Sequence, residues 1–554
     1  MKKCKIAFVF LMSLFPVMII AQDTEKEHFE TSKQLDIFNA LFKELDMFYV
    51  DTINAQKTIR NGIDYMLSKL DPYTVYYPEE EMSDLKFLTT GEYAGIGSVI
   101  TQRENKIYIS DPYEGMPAAL AGLQAGDEIV EIDGQSVLGK TTAQVSEKLK
   151  GQPNTVVKVK YLRPGEKNPK IVDITRKRIA MDPVRYYGIV KEGTGYIYLS
   201  NFTEQSASDV KTAFLDLKNN HNITSLVLDI RDNPGGLMND AIQLVNLFIP
   251  KGEVVLSTKG KLKQWDRTYR TTQEPVDTII PLAVLVNRGS ASSSEIVAGA
   301  LQDLDRAVIV GTRTYGKGLV QSPRSLPHNG NLKVTTSKYY IPSGRCIQAI
   351  DYSHRNPDGS VAEVPDSLTS VFYTSKGRIV KDGGGITPDL VIEEKKTPSI
   401  MYYLIADYIF FDFATEYKMN HPKIAPVNEF TLPDDTYEQF KTFVKGKNFN
   451  YDRQSEKALA VLKETMEFEG YLNVASSEFA ALEEKLKPNL DMDLDLYKKD
   501  ISKYLTEEIV KRYYYQKGEI IESLKGDENL KKAIEILSNR SQYDEILTSE
   551  RVVE

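Results

Sequence analysis

Apolar side chains recur every three or four positions between residues about 30 and 70, which is the spacing of amphipathic helices. We therefore predict an N-terminal helical region over residues 22–82 that packs against something larger. One apolar face consists of Leu35, Phe38, Leu41, Phe42, Leu45 and Phe48. A second face consists of Ile59, Ile63, Met66, Leu67 and Leu70. Pro72 follows directly and ends the helical pattern.

Strand-like runs separated by glycine turns replace this pattern from about residue 82 to 178. Residues 107–110 and 156–162 alternate as strands do, and residues 142–149 have a helical apolar face. The glycines between these runs mark turns. The pattern predicts a small β-domain over residues 83–180.

Short apolar strands and amphipathic helices alternate from about residue 185 to 310. The predicted strands cover residues 195–199, 226–230, 282–286 and 307–310, and the predicted helices cover 206–218, 237–248 and a segment that starts near 292. Such alternation implies a parallel sheet whose loops at the carboxyl ends of the strands collect chemistry. We therefore place an α/β core at residues 181–396 and expect the loops after 230 and 286 to meet.

The remaining chain, residues 397–554, is helical in pattern and rich in Lys and Glu. Its apolar positions are those of packed helices, and it carries no chemical motif. We interpret it as a helical accessory domain for packing, assembly or contact with a partner.

Charge and cysteine content narrow the classes of function. Lys and Arg number 69 and Asp and Glu number 78, which gives a net charge of 69 − 78 = −9 and argues against nucleic acid as the main partner. Of the two cysteines, Cys4 lies in the N-terminal segment, so Cys346 alone can form neither an intrachain disulfide nor a metal cluster in the mature chain. The sequence implies no metal and no organic cofactor.

The N-terminus is typical of a secretory signal peptide. Three lysines at positions 2, 3 and 5 precede the uncharged apolar run 6–20, and Ala21 offers a small residue for cleavage. We therefore assign residues 1–21 to a signal peptide and expect the protein to be exported. Because Ile19 is not the small residue expected before a cut, an uncleaved inner-membrane anchor is the alternative.

The segment 287–296 contains four serines in a turn between a buried strand and a helix. Serine is a common N-cap, so one interpretation is purely structural. The other interpretation is a nucleophile, because the free N–H groups of a helix N-terminus favour a developing negative charge. The segment by itself favours the cap.

A serine nucleophile needs a base, and no histidine lies in the motif segments. The histidines are His28, His221, His328, His354 and His421. Lysine is a known substitute for histidine. Lys317 lies between two glycines and apolar flanks, and burial there would disfavour its charged form. Gln321 could accept a hydrogen bond from the lysine amine without adding a charge that stabilises the ammonium group.

The β-domain resembles a PDZ domain, mainly through the run Ala-Gly-Leu-x-x-Gly-Asp-x-Ile at residues 121–129. Gly95 and Gly97 would leave backbone N–H groups free to hold a carboxylate, and an extended peptide could add as a strand beside them. Ile96 and Val99 would floor an apolar side-chain pocket.

Several motifs in order resemble the carboxyl-terminal processing peptidases, also called tail-specific proteases. They are residues 70–73, the PDZ segments, residues 229–236, residues 289–295, residues 316–318 with Gln321, and residues 383–389. The resemblance implies an α/β, crotonase-like (ClpP/crotonase) serine endopeptidase core with an inserted PDZ domain. It also implies a Ser/Lys dyad supported by a glutamine.

Residue by residue, the resemblance assigns Ser292 as nucleophile, Lys317 as base and Gln321 as its support. This chain has Ser293 where the family usually has alanine, and the backbone N–H of Ser293 would serve the oxyanion hole. A second N–H would come from Gly235 or Gly236, with no choice between them.

The partners implied are protein or peptide substrates with apolar C-termini, in a periplasmic location, with an adaptor or homo-oligomerisation also compatible. A non-catalytic PDZ scaffold that binds C-termini is the competing interpretation. A crotonase-like acyl-CoA enzyme is disfavoured by export and by the PDZ domain.

Overall fold

A computed structural model describes residues 28–82, 92–356, 358–393, 395–486 and 489–548. The predicted signal peptide and the first residues of the predicted PDZ domain, 83–91, lie outside the described residues. Across the part of the chain that is described, no helix is both long enough and apolar enough to cross a membrane.

The N-terminal region consists of a helix at residues 28–48 and the helix Ala55–Ser68. Asn54 caps the second helix by accepting a hydrogen bond from the N–H of Lys57 at 2.9 Å. Both helices were predicted. The apolar face predicted to pack against something larger is, however, mostly exposed in the single chain, with Leu35 63%, Leu41 58% and Phe48 70% exposed.

The β-domain is a sheet of short antiparallel strands around a small apolar core. Its strands are Glu92–Gly95, Ser98–Arg103, Lys106–Pro112, Glu128–Ile132, Gln135–Ser136, Val156–Leu162, Lys170–Thr175 and Lys177–Ala180, and its helices are Pro117–Leu120 and Thr142–Leu149. Ser98–Arg103 lies at the edge of the main sheet, beside the helix Thr142–Leu149. An edge strand beside a helix leaves a groove to which an extended peptide can add.

The α/β core is built on a six-stranded sheet. In spatial order its strands are Val184–Lys191, Thr194–Leu199, Ser225–Asp229, Leu282–Val286, Val308–Gly311 and Leu390–Val391. The first pair is antiparallel and the others are parallel, as predicted for the alternating segment. One face carries the helices Ser206–Asn220, Met238–Asn246 and Ser293–Asp303, whose apolar side chains form the main core with the sheet.

A second sheet adds to this core. Its strands include Val254–Gly260, Arg267–Arg270, Leu319–Ser325 and Asn331–Tyr340. The shorter strands are Val75–Tyr77, Ile350–Arg355, Val361–Glu363, Val371–Tyr373 and Ile379–Lys381. None of these strands was predicted, because their sequences lack a sustained apolar pattern.

The C-terminal region is helical, as predicted. Its helices are Ser399–Ala406, Ile409–Asn420, Asp434–Gly446, Gln454–Glu469, Ser476–Leu486, Leu490–Leu496, Lys498–Ser523, Glu528–Ser538 and Arg540–Ile546. Most of them share an aromatic core of their own. The last two instead pack on the second face of the six-stranded sheet, where Leu530, Ile536 and Tyr543 contact Val227 and Leu285. The central sheet is thereby covered on both faces.

Arg103 joins the β-domain to the C-terminal helices. Its guanidinium lies 3.7 Å from the ring centroid of Tyr408 and 4.5 Å from that of Phe411, and its Nη1 donates to Asp412 at 2.6 Å. Thr101, on the same face of the strand, lies 2.9 Å from the hydroxyl of Tyr408. The C-terminal helices therefore hold the edge strand Ser98–Arg103 through contacts with the side chains of Thr101 and Arg103.

Candidate active site

Ser292 lies in a strained turn between the strand Leu282–Val286 and the helix Ser293–Asp303. Its backbone has φ 55° and ψ −113°, a conformation that costs a residue with a Cβ about 1–3 kcal/mol. The turn exposes the side chain at the end of the sheet beside the first N–H groups of the helix. This geometry is typical of a nucleophile held on a sharp strand-to-helix turn.

The hydroxyl groups of the other three serines in the segment are already hydrogen-bonded within the protein. The hydroxyls of Ser290, Ser293 and Ser294 donate to the carbonyls of Ile230 at 2.8 Å, Gly236 at 2.9 Å and Asn233 at 2.8 Å. These bonds fasten the turn to the loop 230–236, so the two loops meet as the sheet topology predicted. Among the described residues, Ser292 makes no such bond to this loop.

Glu295 is a buried carboxylate that connects the Ser292 turn to the segment carrying Lys317. Its two oxygens accept hydrogen bonds from four groups. They are the hydroxyl of Thr314 at 2.6 Å and the backbone N–H groups of Gly316 at 2.7 Å, Lys317 at 2.8 Å and Ser292 at 2.9 Å. Burial raises the pKa of Glu295 above its usual value, and the four donors act in the opposite direction.

Tyr339 makes a second connection between the same two residues. Its hydroxyl lies 3.1 Å from the carbonyl oxygen of Ser292 and 2.8 Å from that of Lys317. Burial raises the pKa of this tyrosine, so its hydroxyl keeps its proton. Ser292 and Lys317 are thus joined through their N–H groups by Glu295 and through their carbonyls by Tyr339.

Neither role was found from the sequence. Glu295 stands three residues after Ser292, the spacing of a capping box, and that signal could have suggested its bond to the Ser292 N–H. Tyr339 lies 47 positions away on a strand that no pattern predicted, so nothing local pointed to it.

The two candidate oxyanion glycines differ in structure. The N–H of Gly235 donates to the side-chain oxygen of Asn233 at 2.9 Å and is therefore engaged. The N–H groups of Gly236 and Ser293 have no acceptor among the described residues. A Cβ at Gly235 would lie 2.8 Å from the Cβ of Ser292, so Gly235 instead allows the loop to approach Ser292 closely.

Lys317 and Gln321 flank the start of the strand Leu319–Ser325. Lys317 is half-buried between Gly316 and Gly318. The side-chain amide of Gln321 donates to the hydroxyl of Thr335 at 3.1 Å, which leaves its oxygen as the acceptor. The segment is held by its backbone, because Gly318 N–H also donates to Gln348 at 2.7 Å.

A Ser-His-Asp cluster exists elsewhere but lacks the geometry of a triad. Ser353 and Asp351 both bond to the Nδ1 atom of His354, at 3.2 Å and 2.6 Å. A relay needs two different ring nitrogens, one for the serine and one for the carboxylate. The side chain of His354 is also 88% exposed on a hairpin. Across the described ranges no group of His, Cys, Asp or Glu side chains is arranged to hold a metal.

The PDZ groove is a cavity of about 210 Å³ between the edge strand and the helix Thr142–Leu149. Gly95 and Ile96 line it together with Tyr93, Ser98, Ile100 and Leu149. Gly97 has φ 70°, which favours glycine in the turn. Val99 is 42% exposed, because strand alternation turns it away from Ser98 and Ile100.

A larger cavity of about 620 Å³ lies beside the loops that follow residues 230 and 286, and Ser292 does not line it. Its walls come from the β-domain, the sheet ends and the long helix Lys498–Ser523, and they include Asp232, Asn287 and Glu507. Lys317 does not line it either, so we do not assign the chemistry to it.

Three family models match successive parts of the chain. "PDZ domain" matches residues 108–163, "Peptidase family S41" matches 193–361, and "Probable PDZ-protease, C-terminal helical domain" matches 400–537. A carboxy-terminal-processing protease of Bartonella bacilliformis is 38% identical over 348 residues, which are 62% of this chain and 79% of that protein. The matches follow the predicted order of regions, whose exact bounds stay predictions.

Two solved structures are also similar. The photosystem II D1 C-terminal processing protease is 27% identical, with a TM-score of 0.36 over 65% of this chain and 93% of that one. The PDZ domain of a carboxy-terminal protease from Vibrio cholerae, in complex with a peptide, is 29% identical, with a TM-score of 0.16 over 16% of this chain and 99% of that one.

Proposed function

This chain belongs to peptidase family S41 and is a serine peptidase with a PDZ domain, and we propose that Ser292 and Lys317 form its catalytic dyad. One observation carries the choice of serine. Of the four serines in the turn, Ser292 has the strained backbone, while the hydroxyls of Ser290, Ser293 and Ser294 are bonded to the loop 230–236.

The reaction begins with proton transfer. Neutral Lys317 takes the proton of the Ser292 hydroxyl, and the oxygen attacks the carbonyl carbon of the scissile peptide bond. The N–H groups of Ser293 and Gly236, rather than that of Gly235, receive the oxyanion. The C–N bond then breaks as the lysine returns its proton to the leaving amine, and water hydrolyses the acyl-enzyme ester by the same route.

The bonding around the dyad suits a lysine base. Glu295 is the carboxylate bonded to the backbone of Lys317. It accepts hydrogen bonds from four donors, and three of them are backbone N–H groups of the two segments. The free oxygen of Gln321 can accept from the lysine amine and orient it without a charge. The backbones of Ser292 and Lys317 are thus held by bonds that do not use their side chains.

We propose that the PDZ groove selects substrates by their C-termini. A peptide would add along the edge strand Ser98–Arg103, with its carboxylate at the loop 95–98 and an apolar side chain over Ile96, Ile100 and Leu149. The substrates would then be proteins or peptides with apolar C-termini.

We also propose that the protein is exported, since three lysines, an apolar run and a small residue occupy positions 2–21. N-terminal sequencing of the protein recovered from the periplasm should begin at or near Gln22. Recovery of the intact N-terminus in the inner membrane would instead show an uncleaved anchor.

Cleavage of a denatured protein with an apolar C-terminus tests the catalytic assignment. Wild type should produce fragments, and Ser292→Ala should lose at least about a thousandfold in kcat/KM. Ser293→Ala is the matched control, because it keeps the backbone N–H at 293 and should stay active. Equal rates for wild type and Ser292→Ala would refute the nucleophile and favour the non-catalytic scaffold.

The base has its own test. Activity should fall as pH drops, because protonated Lys317 cannot accept the serine proton. Lys317→Arg and Lys317→Met should both be inactive although they keep the length of the side chain. A pH profile left unaltered in Lys317→His would exclude the lysine as base.

A further inference from the structure

The side chain of Arg231 joins the loop 230–236 to the C-terminal helical region. Its Nη2 atom lies 2.5 Å from Oδ2 of Asp229, at the end of a core strand, and 2.7 Å from Oδ2 of Asp527, just before the helix Glu528–Ser538. Its Nε atom also donates to Asp229 at 3.0 Å. All three side chains are largely buried. One guanidinium therefore bridges a carboxylate of the core and a carboxylate of the C-terminal region.

Asp527 is held in place by the helix that follows it. Its Oδ1 atom accepts a hydrogen bond from the N–H of Leu530 at 3.0 Å, which makes Asp527 the N-cap of the helix Glu528–Ser538. That helix packs on the central sheet through Leu530 and Ile536. The second oxygen of Asp527, Oδ2, is thereby directed at Arg231 from a fixed position.

The loop that Arg231 begins carries one of the proposed oxyanion donors. The N–H of Arg231 donates to the side chain of Asp229 at 2.9 Å, and the N–H of Asp232 donates to the side chain of Asn287 at 2.9 Å. The chain then turns and reaches Gly236 at the end of the same loop. A displaced guanidinium would therefore move the start of the loop and, with it, the N–H group of Gly236.

We propose that Asp527 is a positioning residue for the peptidase reaction, because it fixes Arg231 at the start of the loop 230–236. This inference rests on the proposed roles of Ser292 as nucleophile and of Gly236 as an oxyanion donor. The C-terminal helical region is then part of the catalytic unit, since one of its carboxylates completes the support of the oxyanion loop.

Asp527→Asn in the full chain tests the proposal with little risk to folding. Asparagine caps helices as well as aspartate does, and Asp229 keeps its partner Arg231. With its oxygen on the Leu530 N–H, the new amide nitrogen faces the guanidinium, so two donors oppose each other. In cleavage of a denatured protein with an apolar C-terminus, kcat should fall about tenfold and KM should change less than about twofold.

Glu528→Gln is the matched control. It removes a carboxylate from the same helix end, and that carboxylate pairs with the exposed Lys395 at 2.6 Å. Its kcat should stay within about twofold of wild type, as expected for an exposed ion pair. Equal losses of kcat in the two variants, or a rise in KM without a fall in kcat in Asp527→Asn, would overturn the proposal.

A double variant tests whether Asp527 acts through Arg231. Arg231→Lys keeps the charge, but an ammonium group lacks the planar fork that bonds both carboxylates, so kcat should fall. Adding Asp527→Asn to Arg231→Lys should lower kcat by less than about a further twofold, because the contact is already broken. A second tenfold loss would show that Asp527 acts independently of Arg231.

Amide hydrogen exchange separates this proposal from the catalytic one, because it uses no cleavage. Residues 230–236 should exchange at least about threefold faster in Asp527→Asn than in wild type, and at the wild-type rate in Glu528→Gln. Faster exchange confined to the helix Glu528–Ser538 would mean that only the cap is weakened, and would overturn the proposal. Undiminished cleavage by Ser292→Ala would refute the nucleophile and leave the exchange result readable.

Discussion

At the Ser292 turn, the stability of the backbone and the presentation of the Ser292 hydroxyl place opposite demands on single residues. The backbone of Ser292 is strained, and the surrounding bonds from Ser290, Ser293 and Ser294 hold it in that state. Strain of this kind persists only where neighbouring structure over-determines it, and it is concentrated at functional sites. The strained turn therefore lowers the stability of the fold while it presents the Ser292 hydroxyl.

Replacing Ser292 by glycine and by alanine separates the effect on activity from the effect on stability. Both variants should be inactive, since neither has a hydroxyl. Glycine tolerates positive φ without a Cβ penalty, so Ser292→Gly should be about 1 kcal/mol more stable than Ser292→Ala. Chemical denaturation measures the difference. Greater stability of the alanine variant would show that the turn is unstrained.

Glu295→Gln should damage catalysis more than binding. An amide nitrogen would face two of the four donors that Glu295 now accepts, which disturbs the backbone of Ser292 or of Lys317. We expect kcat to fall about a hundredfold while KM changes little.

Thr314→Ser is the control for Glu295→Gln, because it keeps the hydroxyl that donates to the same carboxylate. It should retain most of the activity. A rise in KM without a fall in kcat in Glu295→Gln would show that Glu295 acts on substrate binding instead.

At the scale of elements, the edge strand Ser98–Arg103 has a different partner on each face. One face lines the groove, and the other carries Arg103 onto the rings of Tyr408 and Phe411. A guanidinium stacked on two rings and bonded to a carboxylate is a directional contact. The helix Ile409–Asn420 thereby fixes the strand to which a peptide would add.

Removing the guanidinium should loosen this contact. Arg103→Met keeps much of the apolar stem and should lower the stability of the β-domain by about 2 kcal/mol, given the partial exposure of the pair. Hydrogen exchange of strand 98–103 measures it. Arg178→Met, at an exposed pair with Glu92, is the control and should change exchange little. Equal effects of the two variants would contradict a specific contact.

Part of the fold was predictable because it depends on local pattern. The buried strand Leu282–Val286 and the helix Ser206–Asn220 were predicted within two residues at each end, since their apolar periodicity is strong. The strand Asn331–Tyr340 was missed because its sequence is polar, and Tyr339 was missed with it. Ser292, Lys317 and Gln321 were proposed from a motif, whereas the contacts around them depend on pairing between distant segments.

At the scale of the whole molecule, three regions surround the cavity of about 620 Å³ beside the loops that follow residues 230 and 286. The long helix Lys498–Ser523 contributes Glu507 to it. Burial raises the pKa of Glu507 to about 7; Lys503 opposes this shift, and Glu519, Glu522 and Glu508 add to it. A carboxyl group in this wall is therefore protonated in the folded chain at pH values where it is ionised in the unfolded chain.

The stability of the protein should depend on pH through Glu507. From about pH 4.3, the usual value for Glu, up to about pH 7 the unfolded chain gives up a proton that the folded chain keeps, so stability falls as pH rises. Glu507→Gln should remove this loss and be about 2 kcal/mol more stable than wild type at pH 8, with little difference at pH 4.

Thermal unfolding of both proteins at the two pH values measures the effect of Glu507→Gln. Glu456→Gln, at an exposed position on another helix, is the control and should shift stability by less than about 0.5 kcal/mol at either pH. A gain of equal size at pH 4 and pH 8 would show that packing, and not titration, is responsible.

The backbone of Lys317 is held twice, by Glu295 at its N–H and by Tyr339 at its carbonyl. This position should therefore accept a chemically introduced side chain. These two bonds use the backbone of residue 317 and not its amine, so a different side chain there would keep them. Lys317→Cys should be inactive as isolated, and alkylation with bromoethylamine would create a thioether analogue of lysine. Cleavage should recover in part after that treatment, with none in alkylated Ser292→Ala. This result would show that a chemically attached amine at position 317 can act as the base.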